Sequence, residues 1–194
     1  MPTLRLAQDP AADELLSRDP FALLVGMLLD QQVPMEKAFA GPWVLTQRMG
    51  TDALDPAEVA AVEPERFAAM MAGPPAVHRY HGSMGSRVQA LAAYVVEHYD
   101  GDCTRLWETA ADGAELRRRL EALPGYGPQK AKIFVALLGK QLAVRPAGWR
   151  EAAAEYGPDD ATRSVADVRD PASLTAVRET KRRLKAEAKA ARGG

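Results

Sequence analysis

The segment around Pro124 and Pro128 restricts the folds open to this chain more than any other. Apolar residues recur at helical spacing on both sides of a connection of about five residues, Pro-Gly-Tyr-Gly-Pro. They are Leu116, Leu120 and Leu123 before the connection and Ala131, Phe134 and Leu138 after it. Since so short a connection joins antiparallel neighbours, the spacing predicts a hairpin of two packed helices.

Composition extends the helical prediction to the whole chain. Apolar residues make up 47% of the sequence, and alanine and leucine contribute much of that share. We therefore expect an all-α helical bundle, in which Thr3–Leu6 is the only candidate strand. Cys103 is the single cysteine, which excludes an internal disulfide and a four-thiolate iron–sulfur or zinc site within the chain. His78 and His81 lack further ligands at metal-binding spacing, so no metal site is expected.

Proline, glycine and acidic residues set the expected helix limits. Asp19-Pro20 predicts the start of a central helix that is apolar on nearly every side, and Pro34 interrupts it. The following segments are a helix ending near Gly50, two short helices opened by Asp55-Pro56 and Glu63-Pro64, a loop over 74–86, an amphipathic helix ending at Gly101, and a charged helix from Pro171. The pattern predicts a helical domain over 1–160, with the hairpin at 114–139, and a basic helical tail over 161–194.

Charge divides the chain unevenly. Residues 1–77 carry a net charge of −6 and residues 78–194 a net charge of +5, and from Arg178 onward 7 basic residues stand against 2 acidic ones. This distribution is compatible with a polyanionic partner, although a solvated helix surface gives similar counts. No apolar segment is long enough to span a membrane, and no signal peptide is visible, so we expect a soluble, cytoplasmic monomer.

The hairpin connection has the chemistry of an anion site. Gly125 and Gly127 permit backbone angles closed to other residues, and Pro128 suits the first position of a helix. The free amides of that helix can then bind a phosphate. Lys130 and Lys132 lie in the first turn, where the helix dipole favours acids, and a bound anion explains them. The alternative is a plain helical corner in which glycine and proline serve only the turn.

The sequence Leu-Pro-Gly-Tyr-Gly-Pro-Gln-Lys-Ala-Lys resembles the helix-hairpin-helix motif of the HhH-GPD DNA glycosylase superfamily, which contains endonuclease III, adenine glycosylase and the alkyl-base glycosylases. The resemblance implies that main-chain amides hold double-stranded DNA, with a monovalent cation able to bind among the turn carbonyls. The hairpin residues it assigns to DNA binding are Gly125, Tyr126, Gly127, Gln129, Lys130 and Lys132.

A second match lies about ninety residues upstream, where an apolar helix ends at Gln31 and Gln32. In the family a glutamine here enters the duplex and fills the space left by an extruded base, and enzymes that act on a base must take it out of the stack. The alternative is a pair of helix-capping glutamines. The resemblance covers Pro20 to Gly157, and it suggests Trp149 or Tyr80 as a wall of the base pocket.

The chain departs from the family at the catalytic positions. The family's aspartate corresponds by counting to Ala147, and no acid lies in the surrounding stretch. Because a carboxylate is needed to stabilise the cation-like sugar, Asp30 and Glu151 are the catalytic candidates, each with the alternative of an ordinary surface or capping acid. Gln129 replaces the strand-cutting lysine, and the iron–sulfur loop is missing, so neither lyase chemistry nor a cluster is expected.

These features lead to one leading prediction and two alternatives. The leading one is a monofunctional DNA N-glycosylase of base excision repair, acting on a flipped-out damaged base and associated with the nucleoid. The first alternative is a non-catalytic helix-hairpin-helix DNA-binding protein that has lost the acid. The second is a helical scaffold unrelated to DNA.

Overall fold

The computed structural model describes residues 3–192, and every regular element in that range is helical. The α-helices, in chain order, are α1 (Pro10–Arg18), α2 (Pro20–Leu29), α3 (Met35–Met49), α4 (Pro56–Ala61), α5 (Pro64–Ala72), α6 (His81–Tyr99), α7 (Arg105–Glu108), α8 (Gly113–Glu121), α9 (Pro128–Gln141), α10 (Trp149–Ala153) and α11 (Pro171–Arg192). Two short 3-10 helices, Ala154–Tyr156 and Val165–Asp167, lie between α10 and α11.

Helix α2 forms the centre of the bundle. Every residue from Phe21 to Leu29 is buried, as its all-round apolar sequence predicts. Helices α1, α3 and α6 pack around it, and α4 and α5 cover α6. A second group, formed by α8, α9 and α10, joins the first group along the second half of α2, through hydrogen bonds to the carbonyl oxygens of Leu24, Met27 and Leu28. Several of the candidate residues, Asp30, Gln31, Gln32, Gln129 and Lys130, therefore lie where the two groups join.

Acid-proline pairs start several helices, as expected. The carboxylate of Asp19 accepts a hydrogen bond from the Ala22 amide at 3.0 Å and a second one from the Leu54 amide at 2.7 Å. Asp55 caps α4 in the same way. Glu63 precedes the proline of α5 but makes no side-chain cap. The first cap does more than start a helix, because it also ties α2 to the loop before α4.

The helix limits differ from the expected ones in several places, among them the short helices α7 and α10, which were not expected. Residues 3–6 form no strand, and Leu4 and Leu6 are instead buried in irregular backbone against the bundle. Helix α6 begins at His81 rather than near Ser86, so part of the expected loop is helical. Helix α1 was not expected, although Asp9-Pro10 starts it by the same acid-proline rule.

The segment after residue 160 begins against the bundle and ends in solvent. Lys140 in α9 pairs with Asp167 at 2.6 Å, with both side chains almost fully buried, and Leu174 and Val177 of α11 are also buried. From Lys185 to Arg192, by contrast, every residue is exposed. Between residues 3 and 192, no helix has the length and apolar character needed to cross a membrane.

Candidate functional site

The hairpin between α8 and α9 is pressed against the end of α2. Tyr126 is buried, and its hydroxyl donates to the Leu24 carbonyl oxygen at 2.7 Å. Gly125 has a φ of +80°, and a β-carbon on it would lie 2.2 Å from Leu28 Cδ1. The turn is therefore fixed to α2, and Tyr126 can offer a ligand only its backbone.

The N-terminus of α9 is open to solvent. Gly127 is its N-cap residue, and no side chain caps the helix. Within residues 3–192, Ala131 is the first α9 residue whose amide donates to a backbone carbonyl, that of Gly127 at 3.0 Å. A β-carbon on Gly127 would meet no atom within 4 Å, and its φ of −101° suits any residue. Of the two glycines, only Gly125 uses the backbone freedom expected of both, whereas Gly127 leaves space beside free amides.

Both lysines of the first turn have partners inside the chain. The Lys130 ammonium donates to the carbonyl oxygens of Met27, Leu28 and Asp30, at 2.5, 3.2 and 3.2 Å. Burial lowers the pKa of Lys130 to about 8, and the Asp30 carboxylate acts in the opposite direction. Lys132 lies 3.4 Å from the Glu155 carboxylate. Neither lysine therefore needs a bound anion to explain its position, contrary to the argument from the helix dipole.

Gln31 is held by the segment that leads into α6. Its carbonyl oxygen lies 2.9 Å from His78 Nε2, and its side-chain oxygen lies 3.4 Å from an Arg87 nitrogen. His78 Nδ1 accepts the Tyr80 amide at 3.0 Å, so the ring proton is on Nε2 and is donated to Gln31. Burial lowers the pKa of His78, which keeps the ring neutral.

Gln32 adopts a left-handed backbone conformation with a φ of +54°. Its side-chain oxygen accepts a hydrogen bond from the Tyr80 hydroxyl at 3.2 Å. The Tyr80 ring is 44% exposed, and the Arg79 guanidinium lies 4.9 Å from its centre. The glutamine pair thus belongs to an ordered surface that includes an exposed aromatic ring.

A cleft of about 580 Å³ lies between the hairpin and the glutamine pair. Its walls come from the end of α2, the first turns of α9, the end of the 3-10 helix at Tyr156, and α11. The lining residues are Met27, Asp30, Gln31, Gln32, Val33, Gln129, Lys130, Ile133, Glu155, Tyr156, Arg163, Lys181 and Leu184. Five residues assigned to the site from the sequence, Asp30, Gln31, Gln32, Gln129 and Lys130, therefore share one cleft.

Asp30 is the C-cap residue of α2 and lines this cleft. Burial raises the pKa of its carboxyl group, although the charges of Lys181 and Lys130 act in the opposite direction and Glu36 adds to the rise. The carboxyl group is thus within electrostatic reach of residues on two separate walls of the cleft. A carboxyl group with a raised pKa in a cleft, beside specific charged partners, is typical of functional sites.

The other predicted residues lie outside the cleft lining, including Gly125, Tyr126, Gly127 and Lys132 of the hairpin. Glu151 lines a separate cavity of about 590 Å³ between α8 and α10, together with Arg117, Arg118 and Glu121. Trp149 is buried at the start of α10 and is no part of the cleft wall, because its apolar ring fills the core. Of the two aromatic candidates only Tyr80 remains accessible near the glutamine pair, and it lies outside the cleft lining.

Eight of the thirteen cleft residues were not predicted as site residues, and four of these eight are polar or charged. Glu155, Tyr156, Arg163 and Lys181 reach the cleft from segments that are distant in sequence. The Tyr156 hydroxyl accepts a hydrogen bond from Gln129 at 3.1 Å. The basic tail gave a signal for Lys181, but the other three carry no local motif. Their position in the cleft follows only from the packing of α9 against the segments after α10.

Comparisons of the chain with models of known protein families, with curated proteins and with solved structures found no match.

Proposed function

We propose that this chain is a monofunctional DNA N-glycosylase of the helix-hairpin-helix type, which hydrolyses the bond between a damaged, flipped-out base and its sugar. One observation supports this proposal more strongly than the others. Asp30, with a raised pKa, lies in a cleft bounded by an uncapped helix N-terminus on one side and by a glutamine pair on the other.

In this reaction the C1′–N bond breaks and its electron pair leaves with the base. The positive charge that develops on the sugar is stabilised by the Asp30 carboxylate, and water then adds to C1′. Asp30 accepts the proton that the water loses. Its raised pKa makes the carboxylate a stronger proton acceptor than an exposed aspartate, while Lys130 and Lys181 favour its ionised form.

The DNA backbone is held by the main chain of the hairpin. The amides at the start of α9 have no capping side chain, and a β-carbon on Gly127 would meet no atom within 4 Å, so a phosphate has room to approach them. Gln31 and Gln32, already ordered by His78, Arg87 and Tyr80, fill the gap that the extruded base leaves in the stack.

Strand cleavage through a lysine is disfavoured. Gln129 occupies the position of the lyase lysine, and its amide is engaged with Tyr156. The neighbouring Lys130 donates to three carbonyl oxygens at the end of α2, so its nitrogen is committed to the fold and is not free to attack a sugar.

A non-catalytic DNA-binding protein is the second candidate. It is favoured by the stretch around Ala147, which holds no acid, and by the position of Glu151 outside the cleft. In this alternative Asp30 only caps α2 and contacts Lys130 and Lys181.

The test is to incubate the protein with duplexes that contain uracil, hypoxanthine, alkylated purines or oxidised bases, and then to cleave abasic products with alkali. We expect product from at least one lesion, loss of that product in Asp30→Asn, and retention in the matched variant Glu151→Gln. Duplex binding should persist in both variants. Absence of product from every lesion, together with salt-sensitive binding, would leave the DNA-binding candidate.

A further inference from the structure

Helix α11 carries a one-sided row of positive charge. Successive residues of a helix turn by about 100°, so residues three and four apart share a face. Six basic residues of α11 fall within an arc of about 100° by this rule. They are Arg178, Lys181, Arg182, Lys185, Lys189 and Arg192, which we name the basic stripe. The acids Glu179 and Glu187 fall outside this arc.

The stripe starts at the cleft. Arg178 forms an ion pair with Glu36 of α3, and Lys181 lines the cleft together with Asp30. Leu174, four residues before Arg178, is buried on the same face as the stripe, whereas Val177 and the partly buried Leu184 lie on the neighbouring edge. The contacts of its first two members therefore fix the direction in which the stripe faces, which is the side of the cleft mouth.

Beyond Leu184 the stripe leaves the body of the protein. Lys185, Lys189 and Arg192 are exposed, and the described residues offer none of them an acidic partner. From Lys181 to Arg192 the helix rises about 17 Å, which matches about five base pairs of duplex at ~3.4 Å per step.

We propose that the basic stripe of α11 is a second phosphate-binding surface, which contacts the backbone of the duplex that flanks the lesion held in the cleft. This inference rests on the proposed function, since the DNA must first occupy the cleft. The stripe extends the contact from the cleft along the duplex and adds affinity that does not depend on base sequence.

The test compares two double variants that each remove two positive charges. Lys185→Gln with Lys189→Gln lies on the stripe, whereas Arg66→Gln with Arg183→Gln lies outside it on exposed positions. All four side chains are exposed, and glutamine and lysine have similar helix propensity, so the fold should persist in both. Binding to a lesion-free duplex is measured by fluorescence anisotropy over a salt series.

We expect the stripe variant to lower the slope of log affinity against log salt by about 1.8, which reduces the loss of affinity between about 50 and 200 mM salt roughly tenfold. The control variant should keep the wild-type slope. An equal fall in both variants, or an unchanged slope in the stripe variant, overturns the inference. Failure of the wild-type protein to bind any duplex is a different result, and it overturns the proposed function as well.

Discussion

The Lys130 ammonium, in the first turn of α9, donates a hydrogen bond to the Met27 carbonyl oxygen, in the last turn of α2, at 2.5 Å. The same nitrogen also reaches the carbonyl oxygens of Leu28 and Asp30. One side chain thus satisfies carbonyl groups that a helix C-terminus leaves free, and it holds the hairpin against the residue that we propose as the catalytic acid.

Replacing Lys130 by methionine should therefore destabilise the protein. The apolar stem remains, but buried carbonyl oxygens lose their donor, at a cost of about 1–3 kcal/mol. The matched variant Lys132→Met removes only the partly exposed pair with Glu155 and should cost less than about 1 kcal/mol. Urea unfolding of both variants measures the difference. Equal losses would contradict a capping role for Lys130.

Gly125 and Gly127 should respond differently to alanine. At Gly125 the φ of +80° and the contact with Leu28 both oppose a side chain, so Gly125→Ala should lose about 1–3 kcal/mol of folding free energy. Gly127→Ala should stay within about 0.5 kcal/mol of the wild type. Thermal unfolding measures the loss of folding free energy in each variant. A comparable loss in both would be inconsistent with the open space beside Gly127.

A larger residue at position 127 should separate DNA binding from stability. Gly127→Leu places a branched side chain in the space where we expect a phosphate, so duplex affinity should fall by about tenfold to a hundredfold, the equivalent of ~1.5–3 kcal/mol of charge-assisted hydrogen bonds. Its melting temperature should match that of Gly127→Ala. Unchanged affinity would remove the hairpin from the DNA interface.

Glycosylase activity should fall on the acid side of neutrality. The carboxyl group of Asp30 must be ionised to act, and burial raises its pKa above the ordinary value for aspartate. Activity should therefore be lost as pH falls through this raised pKa. The measurement is single-turnover product formation as a function of pH. A rate that stays constant down to the ordinary aspartate pKa would contradict a catalytic role for Asp30 with a raised pKa. Asp30→Asn should lower the rate at neutral pH by about 10²–10⁴-fold.

The same pKa shift has an independent consequence for stability. Between the unfolded pKa and the raised folded pKa, the folded protein binds more protons, so this carboxyl group contributes less stability as pH rises through that window. Asp30→Asn should accordingly raise the melting temperature near neutral pH, and the gain should shrink on acidification below the folded pKa. Calorimetry over a pH series needs no substrate and checks the shift directly.

The buried pair of Lys140 and Asp167 should be the most sensitive ionic contact in the protein. Asp167 also accepts the Arg163 and Ser164 amides at 2.8 and 3.1 Å, so Lys140→Met leaves a charge buried beneath the segment that carries Arg163 to the cleft. The expected loss is about 3–5 kcal/mol. Arg183→Met, which breaks an exposed pair with Glu187, should cost less than about 1 kcal/mol and is the control in the same unfolding experiment.

Local sequence patterns were sufficient to predict some of the helices but not all of their limits. The apolar run of α2 and the acid-proline starts gave the right helices, because caps and periodicity act over a few residues. The start of α6 at His81 was missed because Gly82 and Gly85 suggest a loop, whereas packing against Met71 favours the helix.

The residues of the candidate site show the same contrast between local sequence and tertiary packing. The sequence placed Asp30, Gln31 and the hairpin near one another through two motifs. It assigned anion-binding roles to Lys130 and Lys132 because their partners, the α2 carbonyls and Glu155, lie far away in the sequence. Glu151 and Asp30 were equivalent as sequence candidates, and only tertiary packing put them in different cavities.

The end of α2 also limits how the cleft can change its width. The hairpin is attached there through Lys130 and Tyr126, and Gln31 follows α2 directly, so these two walls move as one piece. Widening must then come from the opposite side, from α11 or from the segment that carries Tyr156. Helix α11 is anchored at its start by the buried side chains of Leu174 and Val177, whereas the partly exposed contact between Arg178 and Glu36 weakens with salt, so under the proposed function any widening involves the part of α11 beyond these two apolar residues.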